Sequence, residues 1–473
     1  MAPGSLILRN VEVAARPGLD VRLQDGRVAE IGERLAARGE SLDGRGGALI
    51  PGLIDHHIHL LALAAQAQSL ALDDLRDGGD LAARLAAATA ARAPGAWIRA
   101  TGYHEGVAGT LSATELDRLA PRHPLRVQHR SGVLWMLNSL ALERALGGEP
   151  PPACVELDEA GRPTGRIWRG DSWLSARLGR VAPPLAPVGA ALAAAGVTGL
   201  TDASATTNPQ AAAVLAAAVR SGDLPQRLML MSGGELAAPE GLALGPVKIL
   251  IDEDSLPDFE GFVARIAEAR AWGRAVAVHC VTAAELGLTL AAFEAAGAEP
   301  GDRIEHGSVI PQAAVASLAA LGLTVVTQPG FVFERGDRYL AEVAADEQGD
   351  LYRIRSLRAA GVAVAASSDA PYGGIDPWAA MGAAILRRTR AGRDLGAREA
   401  VSPREALSLY LGDFDRPGGP PRRVAVGAPA DLCLLSLPLA EALRTPEAER
   451  VAATLVGGKV VFERAARRAG APA

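Results

Sequence analysis

At both ends of the chain apolar and polar residues alternate with a period of two, the pattern of half-buried strands. Ser5-Leu-Ile-Leu-Arg-Asn-Val-Glu-Val leads to Asp20-Val-Arg-Leu-Gln, an Asp25-Gly26 turn and Arg27-Val-Ala-Glu-Ile. Asp-Gly between two such runs predicts a tight hairpin, because both turn residues tolerate positive φ. Near the other end, Asp431-Leu-Cys-Leu-Leu-Ser-Leu reads as one strand. Val451 to Val456, Gly457-Gly458 and Lys459-Val-Val-Phe-Glu make a second hairpin. Two terminal β segments around a long middle predict a small β-sandwich domain assembled from residues 1–50 and 416–473.

Residues 51–415 keep a different rhythm, in which short apolar runs alternate with stretches rich in Ala and Leu. The runs predicted as strands are Leu53 to His59, Trp97 to Tyr103, Leu125 to His129, Gly196 to Asp202, Val247 to Asp252, Ala275 to His279, Arg303 to His306, Leu323 to Gln328 and Val362 to Asp369. Strand–helix alternation over this length predicts a parallel (β/α)₈ barrel rather than an open sheet. No Gly-x-Gly-x-x-Gly stands at a first strand–helix turn, which weakens a dinucleotide-binding alternative. Pro151 to Asp171 breaks the rhythm with Pro, Gly and alternating residues, and reads as a small β arm inserted over the barrel mouth.

Composition narrows the function classes. The 473 residues suit a large barrel plus a smaller companion, and 49% hydrophobic residues suffice for its core. A formal net charge of -6 argues against nucleic-acid or anionic-membrane partners. The Arg-rich stretches Arg387 to Arg393 and Arg464 to Arg468 are short and read as solvated helix faces or ends. Cys154, Cys280 and Cys433 lie too far apart for a disulfide framework. The first residues lack a signal-peptide pattern, and no apolar run reaches the roughly 20 residues of a membrane helix. The Ala-rich stretches Leu81 to Ala93 and Val188 to Ala195 read as barrel helices. The expectation is a cytoplasmic protein acting on a small molecule, with homo-oligomerisation left open.

Eight histidines are few enough for their placement to carry information. Three fall in Asp55-His56-His57-Ile58-His59 at the end of the first barrel strand. Residues i and i+2 of a strand share a face, so His57 and His59 project together while His56 points away. Two imidazoles at the carboxyl end of a barrel strand are poised to hold a divalent metal. Ala275-Val-Ala-Val-His279 and Arg303-Ile-Glu-His306 each stop on a His, and Ala363-Val-Ala-Ala-Ser-Ser-Asp369 stops on an Asp. Catalytic groups of this fold come from the ends of several strands. Gly245-Pro-Val-Lys248-Ile-Leu-Ile-Asp252 adds a Lys inside an apolar strand. Two readings of Lys248 stay open: an ion pair with Asp252 or Glu253, or a carbamate formed with CO₂ that acts as an anionic metal ligand.

These motifs resemble the amidohydrolase superfamily. They are Pro51-Gly-Leu-Ile-Asp55-x-His57-x-His59, Val247-Lys248, His279, Glu305-His306-Gly, Ser368-Asp369-Ala-Pro and the closing strands from Gly427-Ala-Pro-Ala-Asp431-Leu to Gly457-Gly458-Lys459-Val-Val. The resemblance implies that His57 and His59 hold the more buried ion and His279 and His306 the more exposed one, with a carboxylated Lys248 between them. It implies one or two ions, zinc by expectation. Asp369 touches metal and water, and Asp369 with His306 carries the catalytic step. Gly102-Tyr-His-Glu105, Trp135-x-x-Asn138, Gly161-Arg-Pro-Thr-Gly165 and Thr327-Gln328-Pro329 resemble the branch containing N-substituted formamide deformylases. The chain departs from that branch at Ser131-Gly132-Val133, Cys280-Val281 and Asp252-Glu253, so the substrate does not carry over.

Hydrolysis of a non-peptide C–N bond is the expected reaction: an amide, N-formyl or N-acyl group, cyclic amide or carbamate. Deamination of a heterocycle, ester or lactone hydrolysis, and a non-enzymatic metal-binding role are the alternatives. Deaminases of this type place a proton-shuttling Glu close after the fifth-strand His, whereas Glu285 here is six positions on. Candidate substrate contacts are Tyr103, His104, His129, Arg130, Trp135, Asn138, Gln328 and Phe331, with Arg166, Trp168, Phe333 and Tyr372 as further mouth residues.

Overall fold

The computed structural model describes residues 5–37, 39–178 and 182–465. The chain forms two compact units, residues 1–60 with 185–473, and residues 61–184.

The first unit contains an eight-stranded sheet: β1 (Leu53–Ile58), β2 (Val197–Asp202), β3 (Arg227–Ser232), β4 (Ala243–Ile249), β5 (Val276–Cys280), β6 (Arg303–His306), β7 (Thr324–Thr327) and β8 (Ala363–Ala366). They lie side by side in chain order, every pair parallel. All residues of β1 and β2 are buried, as strands covered on both faces require. The seam between β8 and β1 closes in two ways. At the carboxyl end Asp369 N–H donates to the His57 carbonyl, and His59 N–H to the Ala370 carbonyl, both at 2.8 Å. Deeper down, the Leu409 and Tyr410 carbonyls accept from Ala366 N–H and Ile54 N–H, each at 3.0 Å. A loop segment there replaces the strand–strand ladder, completing a nearly closed TIM-type barrel.

Local chemistry sets where the outer helices begin. Asn208, Asp258, Thr282, Asp376 and Ser402 each accept a backbone N–H from the first turn of the helix they precede. Residues 233–242, between β3 and β4, form no helix.

The chain ends build two four-stranded sheets. Leu6–Val13, Arg16–Gln24, Arg27–Gly32 and Glu40–Asp43 form one; Leu49–Pro51, Leu432–Leu435, Val451–Val456 and Lys459–Glu463 form the other. Leu8, Val21 and Leu23 of the first share a core with Leu49, Leu432 and Leu455 of the second. The Asp25-Gly26 and Gly457-Gly458 turns take positive φ at all four residues, as their hairpins demand.

The second unit corrects several expectations. Ile98–Tyr103 and Leu125–His129 are not barrel strands; they pair with each other and with Leu134–Leu137 in a separate six-stranded sheet. The hairpin Val155–Leu157/Pro163–Trp168, the expected β arm, adds to the edge of that same sheet. Helix Gly78–Ala90 packs here too, rather than on the barrel. Conversely, β3 was absent from the predicted strands. Its Leu228-Met-Leu-Met231 run carries no β-branched residue, so nothing in its side chains marks it as a strand.

Arg387 also differs from the expectation of a solvated helix end. It is fully buried and donates to the carbonyls of Leu351, Tyr352, Leu395 and Gly396. Within the basic tail, residues 466–468 lie outside the described residues.

Candidate metal centre

The carboxyl ends of the strands bring the ionisable residues together. His57 is the penultimate residue of β1, and His59 lies just beyond its end. His306 closes β6 and Asp369 follows β8. Both His306 and Asp369 take left-handed backbone, φ 68° and 53°. For a His this conformation costs on the order of 1–3 kcal/mol, a strain that clusters where side chains must be aimed at a site. His57, His59 and Asp369 offer ligand atoms within 4.8 Å of one another. Asp369 Oδ1 lies 3.1 Å from His59 Nε2 and 3.4 Å from His57 Nε2, and its Oδ2 lies 3.8 Å from His306 Nδ1. The His306 ring is 4.8 Å from that of His57 and 4.5 Å from that of His279. Lys248, on β4, is 2% exposed, and its Nζ has no hydrogen-bond partner. Its Nζ thus makes no hydrogen bond to Asp252 or Glu253, and Asp252 accepts from Asp254 N–H at the start of a short turn.

Three of the rings are held from behind. His57 Nδ1 donates to Glu305 Oε2, the carboxylate being able only to accept. His59 Nδ1 meets Ser204 Oγ at 3.0 Å. Gln328 donates to Ser367 Oγ, which orients its Oε1 to accept from His306 Nδ1 at 3.0 Å. Metal-binding imidazoles are commonly anchored in this way through their second nitrogen. The sequence reading quoted Glu305 only as part of a motif and missed Ser204. A polar residue just past a strand end, as Ser204 is past β2, was the available signal.

Burial sets the protonation states. It pushes His279 down to about 4 and His306 to about 3, and holds His57 well below its usual value, with the Lys248 charge adding at His57 and His279. Those three rings are neutral at pH 7, with lone pairs available. Burial pushes Lys248 down to about 8, opposed by Glu305 and Asp369. For Asp369 burial acts upward, but His306, His59 and His57 together outweigh it, and the carboxyl stays well below the usual range.

The residues fit a divalent ion. His57 Nε2 is buried without a hydrogen-bond partner, as is Lys248 Nζ, and an unpaired buried polar atom is costly unless something occupies it. Imidazole nitrogens with a carboxylate oxygen are a zinc-type donor set.

The expected substrate contacts fare differently. Tyr103 is buried in the core of the second unit, with its hydroxyl bonded to the Gly109 carbonyl. Asn138 caps helix Ser139–Leu146 and spends its amide on Leu125, Ala141, Ala120 and His123. Phe331 packs against Tyr352 in a buried cluster. These three are structural, because nothing of them is left for a substrate. Gln328 serves His306 instead. Trp135 is buried with its Nε1 on Asp171, and Arg166 is paired with Glu156. His104 caps the turn at Gly106, His129 sits between Ser131 and Glu105, and Arg130 is exposed. Trp168 (47%), Phe333 (45%) and Tyr372 (46%) are exposed, and the Tyr372 ring stands 5.8 Å from that of His59.

Comparison with known proteins agrees with this architecture. The model of the amidohydrolase family matches residues 40–462. N-substituted formamide deformylase of Arthrobacter pascens is 26% identical over 85% of this chain and 86% of its own. Among solved structures, an uncharacterised metal-dependent hydrolase from Pyrococcus horikoshii OT3 superposes with a TM-score of 0.71 at 20% identity, over 86% of this chain and 92% of that one. Zinc-complexed atrazine chlorohydrolase from Arthrobacter aurescens TC1 gives 0.58 at 16% identity, over 97% and 95%. The chain belongs to the amidohydrolase family, and it is a hydrolase acting on carbon–nitrogen bonds.

Proposed function

We propose that the protein hydrolyses a non-peptide C–N bond of a small molecule, in an N-formyl or N-acyl amide, a cyclic amide or a carbamate. His57, His59, Lys248, His279, His306 and Asp369 would hold one or two divalent ions, zinc by the character of the donors. The observation that carries this reading is the pair of buried, unpartnered donors, His57 Nε2 and Lys248 Nζ, in a cluster that also holds Asp369. A zinc-type ion bound there supplies an acidified water, its pKa lowered toward ~7, and polarises the scissile carbonyl.

The chain's own residues do the rest. Asp369, ionised at neutral pH with its carboxyl held well below the usual range, receives the proton released during attack and delivers it to the leaving nitrogen. His306 stands beside it, its Nδ1 3.8 Å from Asp369 Oδ2. Lys248 at about 8 has roughly a tenth of its amine neutral at pH 7. That fraction adds CO₂, losing one proton, to give an anionic carbamate suited to join the ligand set.

Ring deamination is disfavoured by Glu285. Its carboxylate is spent on the backbone N–H groups of Val281, Thr282 and Glu253, at 2.5, 3.1 and 3.1 Å. A group so engaged is not free to shuttle protons.

The relative named N-substituted formamide deformylase makes N-formyl compounds the first substrates to assay. Metal-reconstituted protein should turn over at least one class in a library of N-formyl, N-acyl and cyclic amides, and lose that activity on chelation. Hydrolysis of esters or lactones alone, or ammonia release from heterocycles alone, would overturn the proposal.

A further inference from the structure

We propose that Glu305 is a positioning residue for the metal centre: it fixes His57 in the Nδ1–H tautomer and raises the basicity of the Nε2 lone pair. This rests on the reading of His57 as a ligand.

The geometry separates this role from simple barrel packing. Arg303 and Glu305 are two apart on β6, so both project to one face of the strand. Both are fully buried, as is His57. An Arg–carboxylate pair serving only itself would adopt a two-pronged arrangement that engages both oxygens. Here Arg303 gives Glu305 Oε1 a single bond from Nε, at 2.5 Å. Its Nη2 is turned instead to the His56 carbonyl at 3.3 Å and to Met231. The second oxygen, Oε2, is left to His57 Nδ1. Arg303 thus neutralises and orients a carboxylate whose free edge meets the imidazole.

The three anchored rings are not treated alike. His59 has a hydroxyl behind it and His306 an amide, both neutral. His57 alone among these three has a carboxylate. A carboxylate strengthens the lone pair on the opposite nitrogen more than a neutral acceptor does. That nitrogen, Nε2, is buried without a hydrogen-bond partner.

The test uses the full-length protein. Zinc affinity measured by competition with a chelating dye should weaken about 10–100-fold in Glu305→Gln. Glu305→Asp should recover part of the loss. The visible spectrum of the cobalt-loaded protein should shift in Glu305→Gln, a change that packing alone would not produce. Should the variants fail to fold, ¹⁵N-histidine NMR of metal-free wild type still decides, with His57 expected protonated at Nδ1 and bare at Nε2. Protonation at Nε2, or zinc affinity in Glu305→Gln within about twofold of wild type, would overturn the proposal. Wild-type protein that takes up no zinc would instead overturn the ligand reading beneath it.

Discussion

Replacing Lys248 with Met tests the interior of the barrel without any substrate in hand. Met keeps the length of the side chain and removes the charge. In the metal-free protein burial lowers the Lys248 pKa from 10.5 to about 8. At about 1.4 kcal/mol per pH unit this difference is a penalty of roughly 3 kcal/mol for keeping the ammonium inside. The sign follows from proton counting. Below pH 8 both folded and unfolded chains hold the proton, and the penalty is fully present. Between about 8 and 10.5 only the unfolded chain does, so stability rises with pH and the penalty disappears. Lys248→Met should therefore raise the stability of metal-free protein by up to ~3 kcal/mol at pH 7, and by much less at pH 10. Urea midpoints of both proteins, prepared with chelator and without bicarbonate, measure it. The same variant should bind less metal and lose activity. A variant less stable than wild type at pH 7, or a difference that does not shrink toward pH 10, would refute the account of an unpaired buried ammonium.

Other outcomes follow from the same geometry. Asp369→Asn should retain metal by elemental analysis while kcat falls about 10²–10⁴-fold, and the acidic limb of the pH–rate profile should flatten. Glu285→Ala should cost about 1–2 kcal/mol in thermal or urea unfolding through the lost helix cap, with kcat unchanged; a collapse in kcat would revive deamination chemistry. On acidification from pH 6.5 toward 4, unfolded His279 takes up a proton that the folded ring, at about 4, refuses. Metal-free protein should therefore become less stable across that window by urea unfolding. His57→Ala should lower metal content and abolish activity together.

The histidines and Asp369 of the candidate metal centre stand out in the sequence because they lie at or just past the ends of short apolar runs, and that pattern reports both burial and the barrel's carboxyl face. The terminal sandwich was legible for a similar reason, since Asp25-Gly26 and Gly457-Gly458 mark their own turns. What could not be read was sheet membership. Ile98–Tyr103 and Leu125–His129 are predicted as barrel strands, and only their pairing, with each other and of the latter with Leu134–Leu137, assigns them elsewhere. Likewise Tyr103 and Asn138 have the chemistry of substrate contacts. Their partners, Gly109 and the backbone around Leu125, become apparent only in three dimensions. Glu305 and Ser204 were obscured because they act through other residues rather than on a ligand.

The backbone bonds joining His57 to Asp369 and His59 to Ala370 have a consequence for the birth of the enzyme. Their partners are about as far apart along the chain as a barrel of this size allows, so a ribosome must deliver β8 before either bond can form. Until then the nascent chain carries a pair of histidines without the carboxylate that completes their cluster. Closing so long a loop is entropically expensive only once, since the cost grows with the logarithm of its length. An ion gripped by both ends of the barrel would then act as a rivet across that seam. Metal loading would thereby select finished molecules over truncated ones, and chelation should loosen the β1–β8 joint before any other part of the barrel, visible as early amide exchange at His59 and Asp369.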